Sequence, residues 1–435
     1  MITFTVLWLG QLVSLVGSGL TSFALGVWTF QRTGSTTQFA LIGLSAVLPR
    51  VVLSPLAGVV VDRWDRRRVM LLSDIGAGLS TLVIVLLIST GRLQVWHIFA
   101  LTGINAAFSA FQWPAYMATT SLLVSQKNLG RANGMIQFGQ AGSEILAPAL
   151  AGVLIQTIRL RGVILIDVTT CIFAVLTLSL IRLPQPTGRG TGVSTEESFW
   201  RRLGFGWRYI SDRPALSGLL GFLAVVNFIW GMVGALVTPM VLSWASSDAL
   251  GLILSIAGAG MLTGSLVMSV WGGPKQRMQG IFHFELISGI CFILMGISPS
   301  FWPVAVGAFG AHLTIAIIYG SNHAIWQSKV APEIQGRVFA TQQMVLRATT
   351  PLAYLLTGPL ADRLFNPLLA NHGPLATSVG RVLGFGPGRG IGLMFVLMGM
   401  VKIAIVVVGK SYPRLRQLES ELPDVIIHPY QEICD

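Results

Sequence analysis

The sequence predicts an all-α membrane fold of about twelve transmembrane helices in two related six-helix halves. Three observations predict it: a shortage of polar residues, apolar stretches that recur from end to end, and a weak internal repeat. Of 435 residues, 53% are apolar and only 11% charged, too few to clothe a water-soluble chain of this length. Apolar runs of 18 or more residues recur throughout, and roughly 20 helical residues cross a hydrocarbon core about 30 Å thick.

The expected spans run over about 6–30, 38–61, 69–90, 95–124, 132–158, 162–183, 214–244, 249–272, 279–299, 301–329, 337–364 and 388–410. The first lacks the basic leading region and cleavage site of a signal peptide and is expected to stay as span 1. The resulting organisation is an N-terminal half 1–183, a linker 184–213, a C-terminal half 214–410 and a tail 411–435. In the linker, Phe199, Leu203, Phe205 and Trp207 alternate with arginines, as in an amphipathic helix lying on an anionic leaflet.

A net charge of +12 raises the question of nucleic acid, but the 29 Lys and Arg residues fall in short clusters between spans. They read as topology signals. With both ends cytoplasmic, the inner loops hold 19 and the outer loops 7, which predicts an inner-membrane, multi-pass protein with both termini inside. Cys171, Cys291 and Cys434 show no paired spacing, and the histidines no ligand spacing, so neither a disulfide nor a metal site is expected. The glycines at 384, 386, 388 and 390 form no phosphate loop, because no strand precedes them and no Lys-Ser or Lys-Thr follows.

An offset of 206 residues aligns Gly130-Arg131 with Gly336-Arg337, Gln137 with Gln343, Gly152 with Gly358 and Leu154 with Leu360. These matches place a duplicated unit at the start of spans 5 and 11. Between spans 2 and 3 stands Gly58-Val-Val-Val-Asp62-Arg63-Trp-Asp65-Arg66-Arg67-Arg68. With the twelve spans, the central linker and the half repeat, it resembles the signature loop of the major facilitator superfamily. That family usually has Gly where Asp65 stands. Physically, Gly58 permits close helix approach, and Asp62 near a helix N-terminus would gain about 0.3–1 kcal/mol. The resemblance implies that Asp62 latches onto the start of the eleventh helix, near Gly336, in an outward-facing state; a purely topological basic loop is the other reading. Asp74, about one turn into span 3, reads as the counter-charge of Arg66–Arg68.

On span 5, Ser143, Ala147, Pro148, Ala151 and Gly152 resemble a relaxed form of the glycine-and-proline motif of drug and proton antiporters, or a plain packing helix. The arginine-centred motif of those antiporters is missing from Leu101–Asn105, which puts proton exchange in doubt. The opening Leu7-Trp-Leu-Gly10-Gln11-Leu-Val-Ser14, with Gly17-Ser18-Gly19, is most similar to bacterial exporters grouped with the enterobactin exporter and macrolide efflux pumps. That resemblance implies export of an amphiphilic drug, siderophore or secondary metabolite.

A charge at the bilayer centre costs at least about 2.5–3.5 kcal/mol, so embedded charges are the sharpest clues. Arg50, Glu144, Arg347 and Lys402 lie well inside the spans; Asp167, His283, Glu285 and His312 lie shallower. Glu144 is the candidate for proton or cation coupling, or for a static pair with Arg50 or Arg347. The two arginines could instead hold an anionic substrate group. Lys402 is expected to snorkel or to pack behind the bundle. Asn105, Gln112, Asn227, Trp230 and Gln343 are candidates for a mixed polar and aromatic cavity wall or for interhelical hydrogen bonds. No catalytic cluster or cofactor motif is found, so an enzyme is not expected. The expected partners are a small solute, protons and the lipid bilayer, with the chain a monomer. Uptake or lipid flipping on the same fold, or a receptor that no longer transports, stay open.

Overall fold

The computed structural model describes residues 2–125, 128–181 and 199–422, which leaves the first half of the linker and the last part of the tail outside the described residues. In chain order the helices are α1 (Ile2–Thr33), α2 (Thr36–Arg63), α3 (Arg66–Ser89), α4 (Val95–Leu123), α5 (Leu129–Leu180), α6 (Phe199–Ser211), α7 (Pro214–Leu242), α8 (Ser247–Trp271), α9 (Arg277–Ile297), α10 (Phe301–Lys329) and α11 (Pro332–Leu360). A π-helical turn (Ala361–Phe365) continues α11 into the short α12 (Asn366–Leu368), followed by α13 (Gly380–Leu383), α14 (Arg389–Ser411), α15 (Pro413–Arg416) and α16 (Leu418–Glu421).

Lipid offers no partner for a bare peptide group, so each span closes its hydrogen bonds along its own axis. Nine of the described helices are long and apolar enough to cross a membrane. At 52 residues, α5 is long enough for two crossings, and its two parts, meeting at a kink at Arg159, fall on the separate spans expected at 132–158 and 162–183. Large apolar side chains such as Leu180 and Val270 are 83% and 89% exposed, as suits faces bathed in acyl chains.

Polar residues concentrate where helices begin. Ser35 caps α2, accepting from the Gln38 N–H, after a turn in which Gly34 takes φ +63°. Asp65 caps α3, accepting from the Arg67 N–H at 2.9 Å. An aspartate where relatives of this loop carry glycine therefore has a local task.

The chain packs into two compact units. One comprises Met1–Arg189, Met232–Gly258 and Ala353–Gly392; the other comprises Gly190–Gly231, Ala259–Leu352 and Leu393–Asp435. These are sets of packed segments, distinct in membership from the duplicated halves. In the first unit, α1 packs on α5, and α4 on α2 and α3. One core, with Phe4, Leu7, Met70 and Leu178, lies at the end bearing the α2–α3 loop; another, with Leu20, Ala24, Ala147 and Ala151, lies toward the end bearing the α1–α2 turn. In the second unit, α9 packs on α10 around Phe282, Trp326 and Leu415.

The second unit also absorbs pieces expected to be peripheral. Gly206 of α6 lies against the Arg337 carbonyl and Thr341 of α11, and the Arg337 guanidinium stands 5.4 Å over the Phe205 ring. Of the tail, α15 and α16 dock on α9: Glu419 accepts from the N–H groups of Arg277 and Met278, both at 3.1 Å, while Lys329 donates to the Glu419 carbonyl at 2.8 Å.

The break in α5 falls at Arg159, whose φ of 59° and ψ of 175° lie outside the regions ordinary residues favour. Such a conformation stores of order 1–3 kcal/mol, which glycine would not incur. Arg159→Gly should therefore raise the thermal midpoint of the detergent-purified protein, by about 1 kcal/mol of stability. An unchanged or lower midpoint would show that the break carries no strain.

Candidate functional site

The opening of α1 positions two buried carboxylates by the same local arrangement, repeated seven residues on. Gly10 faces Thr177 of α5, and its neighbour Gln11 donates to Asp74 at 3.1 Å. Gly17 faces Thr170 and Asp167 of α5, and its neighbour Ser18 donates to Asp167 at 3.2 Å. Seven residues are two helical turns, so both glycines share the face on which α1 meets the second part of α5. A Cβ at either position would collide with a threonine hydroxyl.

Asp74 is thereby held by amides. Gln112 of α4 donates to Asp74 and, at 2.8 Å, to Gln11, while Cys171 Sγ donates to the Asp74 carbonyl at 3.3 Å. This corrects the expectation that Asp74 is the counter-charge of the basic loop. The arginines serve helix ends instead: Arg66 donates to the Ala118 carbonyl of α4 at 2.8 Å, and Arg67 to the carbonyls of Leu178 and Ser179 at the end of α5. Arg68 is exposed and stands 3.9 Å from Asp65. Gly58, Asp62 and Arg63 belong to α2, but their side chains lie outside the described residues, as does Leu203.

Asp167, only 4% exposed, borders a cavity of about 210 Å³ inside the first unit. The cavity is lined from α1, α2, α3, α4 and α5, and by Gly234 of α7 and Tyr354 of α11. Asn105 borders it and also donates to the Ala77 carbonyl at 3.4 Å. Thr81, at 3.5 Å, and Thr21 add further hydroxyls at Asp167. Sequence reasoning placed Asp167 among the shallower residues. The glycine-plus-polar pairs of α1 were the signal for it.

The other embedded charges lie elsewhere. Arg50 and Glu144 are exposed on α2 and α5 and form no ion pair with each other; Arg347 is exposed and Gln343 half-buried on α11. Asn227 donates to the Leu346 carbonyl at 2.7 Å and to Thr349 at 2.8 Å, joining α7 to α11. Lys402 does not snorkel: it is fully buried, 2.7 Å from Glu285 and 2.6 Å from the Ser288 hydroxyl, with the rings of Trp230 and Phe292 around it. Glu285, expected to be shallow, is equally enclosed.

The small residues of α5 form close contacts. Ala147 meets Gly19, Ser143 donates to the Leu15 carbonyl at 3.3 Å, and Ala147 and Ala151 are buried. Beyond them, the Pro148 carbonyl touches Gly251, and Gly152 lies against the backbone of Ser247 and Asp248 in the first turn of α8. Gln156 donates to Asp248 at 2.8 Å. Gly358, the repeat partner of Gly152, lies in the same manner against Thr37 in the first turn of α2. Four residues on, Asp362 accepts from the Ser35 hydroxyl at 2.8 Å and from the N–H groups of Thr36 and Thr37 at 3.1 and 2.8 Å. Two seams at repeat-related positions thus tie α5 to α8 and α11 to α2 at the end bearing the α1–α2 turn.

Long apolar helices around a cavity with one buried carboxylate suit a membrane-embedded solute transporter. The chain belongs to the Major Facilitator Superfamily, whose family model matches residues 7–354. It is 28% identical to macrolide efflux protein A of Streptococcus pyogenes over 365 residues, covering 83% of this chain and 90% of that protein. It is 23% identical to the multidrug efflux pump Tap of Mycolicibacterium fortuitum, covering 93% and 94%. Among solved structures, a bacterial homolog of the human lysosomal transporter Spinster, inward-facing and unoccupied, aligns with a TM-score of 0.72 at 15% identity, covering 98% of both chains.

Removing one partner of a buried ion pair strands the other, at about 3–5 kcal/mol, whereas replacing both is often neutral. Glu285→Ala should accordingly lower the melting temperature sharply. Glu285→Leu combined with Lys402→Met should restore it. A Glu285→Ala protein that melts like wild type would refute this energetic role.

Proposed function

We propose that this chain is a secondary active exporter of amphiphilic small molecules, such as a drug, siderophore or secondary metabolite, working as a monomer by alternating access. The observation that carries the reading is full-length similarity to two efflux proteins. The excess of basic residues in alternate loops supports an inner-membrane placement with both termini cytoplasmic. The duplicated halves 1–183 and 214–410 then alternate about a midplane path, and the two seams lie at the outer end.

With that end sealed by Asp362 and by the Gly152–Ser247 contact, a solute enters from the cytoplasmic side. A carboxylate accepting from two backbone N–H groups at a helix start is a strong, separable contact, because the donors of α2 can return to water when it leaves. Arg50, Glu144 and Arg347 remain the candidates for substrate and proton contacts. Their exposed positions support this role, since an unpaired charge on a helix face needs a watered path rather than lipid. Asp62, against the start of the eleventh helix near Gly336, is the proposed latch of the opposite end.

Cells lacking the protein should accumulate more of an exported macrolide than cells carrying it, and Glu144→Gln or Arg347→Ala should reduce that difference. Lower accumulation without the protein would turn the reading to uptake. Unchanged flux in both variants would remove their assigned roles. In a background with its native cysteines replaced, Thr37→Cys should react slowly with an impermeant maleimide from outside. Adding Asp362→Ala should speed the reaction roughly tenfold, given about 1.5–3 kcal/mol for hydrogen bonds to a charged group. Equal rates would show that Asp362 does not hold the seam.

A further inference from the structure

The buried carboxylates of this protein differ in what satisfies them. Asp74 has two amide donors, and Glu285 has Lys402. Asp167 has only hydroxyls around it, those of Ser18 at 3.2 Å, Thr81 at 3.5 Å and Thr21, and no Lys, Arg or His among the described residues stands within ion-pair distance. A buried ionised carboxylate is costly without a compensating charge. Yet this one faces open space rather than packed side chains.

The space itself points to what completes the site. Among the described residues no basic side chain lines the cavity of about 210 Å³, and Asp167 is the charged one that does, so its field favours a cation. Leu25 and Ile42 make its walls apolar, Phe39 and Tyr354 add aromatic rings, and Asn105 adds an amide. Aromatic rings beside a carboxylate suit an organic cation, attracted by ring and charge together. Binding pockets for whole drug-sized ligands hold about 300–1,000 Å³, so this one takes a head group rather than an entire amphiphile.

We propose that Asp167 is the anionic anchor of a subsite for the cationic nitrogen of an amphiphilic organic amine, the cavity taking the ammonium head. The assignment names the substrate class of the exporter proposed above and rests on that reading only for the direction of travel. Ser18, held in reach by Gly17, orients the carboxylate.

The test uses benzyltrimethylammonium, a permanent cation that cannot donate or lose a proton, in equilibrium dialysis against the full-length protein in lipid nanodiscs, with empty nanodiscs as background. Wild type should bind it saturably. Asp167→Asn should weaken binding roughly tenfold or more, while Asp167→Glu should stay within a few-fold of wild type. Leu101→Trp fills the cavity without touching the carboxylate and should abolish binding, which decides the matter should Asp167→Asn fail to fold. No saturable binding by wild type, equal binding by Asp167→Asn, or full binding by Leu101→Trp would overturn the proposal. Export of uncharged compounds, followed separately by cell accumulation, reports on the exporter reading whichever way the cation result falls.

Discussion

A bilayer gives charge no solvent, and four carboxylates of this protein are answered by something built nearby. Three of the answers are complete. Asp74 receives two neutral amides, Glu285 receives a lysine ammonium, and Asp362 receives the N–H groups that open α2. The fourth, at Asp167, consists of hydroxyls and an open cavity. This ordering separates residues that fasten helices together from the one that leaves room for a visitor, and it does so without appeal to relatives.

Much of the fold was legible in the sequence because hydropathy measures length, and length is what a membrane selects. The long helices fall where apolar runs predict them, and the break between the fifth and sixth spans lies within a few residues of its expected place, at Arg159. Hydropathy does not measure rotation about the helix axis. Lys402 and Glu285 are 117 positions apart, and no window connects them; only packing turns both inward to meet. Asp74 shows the same limit: its neighbours in sequence are arginines, but its neighbours across the helices are glutamines.

The candidate site was partly legible through small residues. Gly10 and Gly17 are followed each time by a polar side chain that reaches a buried aspartate, and Gly152 and Gly358 sit at matching places in the repeat. In each case the glycine marks a close approach and the polar group nearby marks what is approached. Conversely, Arg50, Glu144 and Arg347, prominent as charges in apolar runs, gain no ion pair among the described residues. Conspicuousness in a hydropathy profile and enclosure in the packed chain are different properties.

The basic loop between α2 and α3 carries one more consequence. Because Arg66 grips the end of α4 and Arg67 the end of α5, while Asp65 stitches the loop to α3, these helices are riveted at one end. Such a rivet cannot also be a hinge. Bending during a transport cycle must be taken up away from it, at prolines such as Pro114 and Pro148 or at the Arg159 break, so that this end moves as a lever arm and not as a joint.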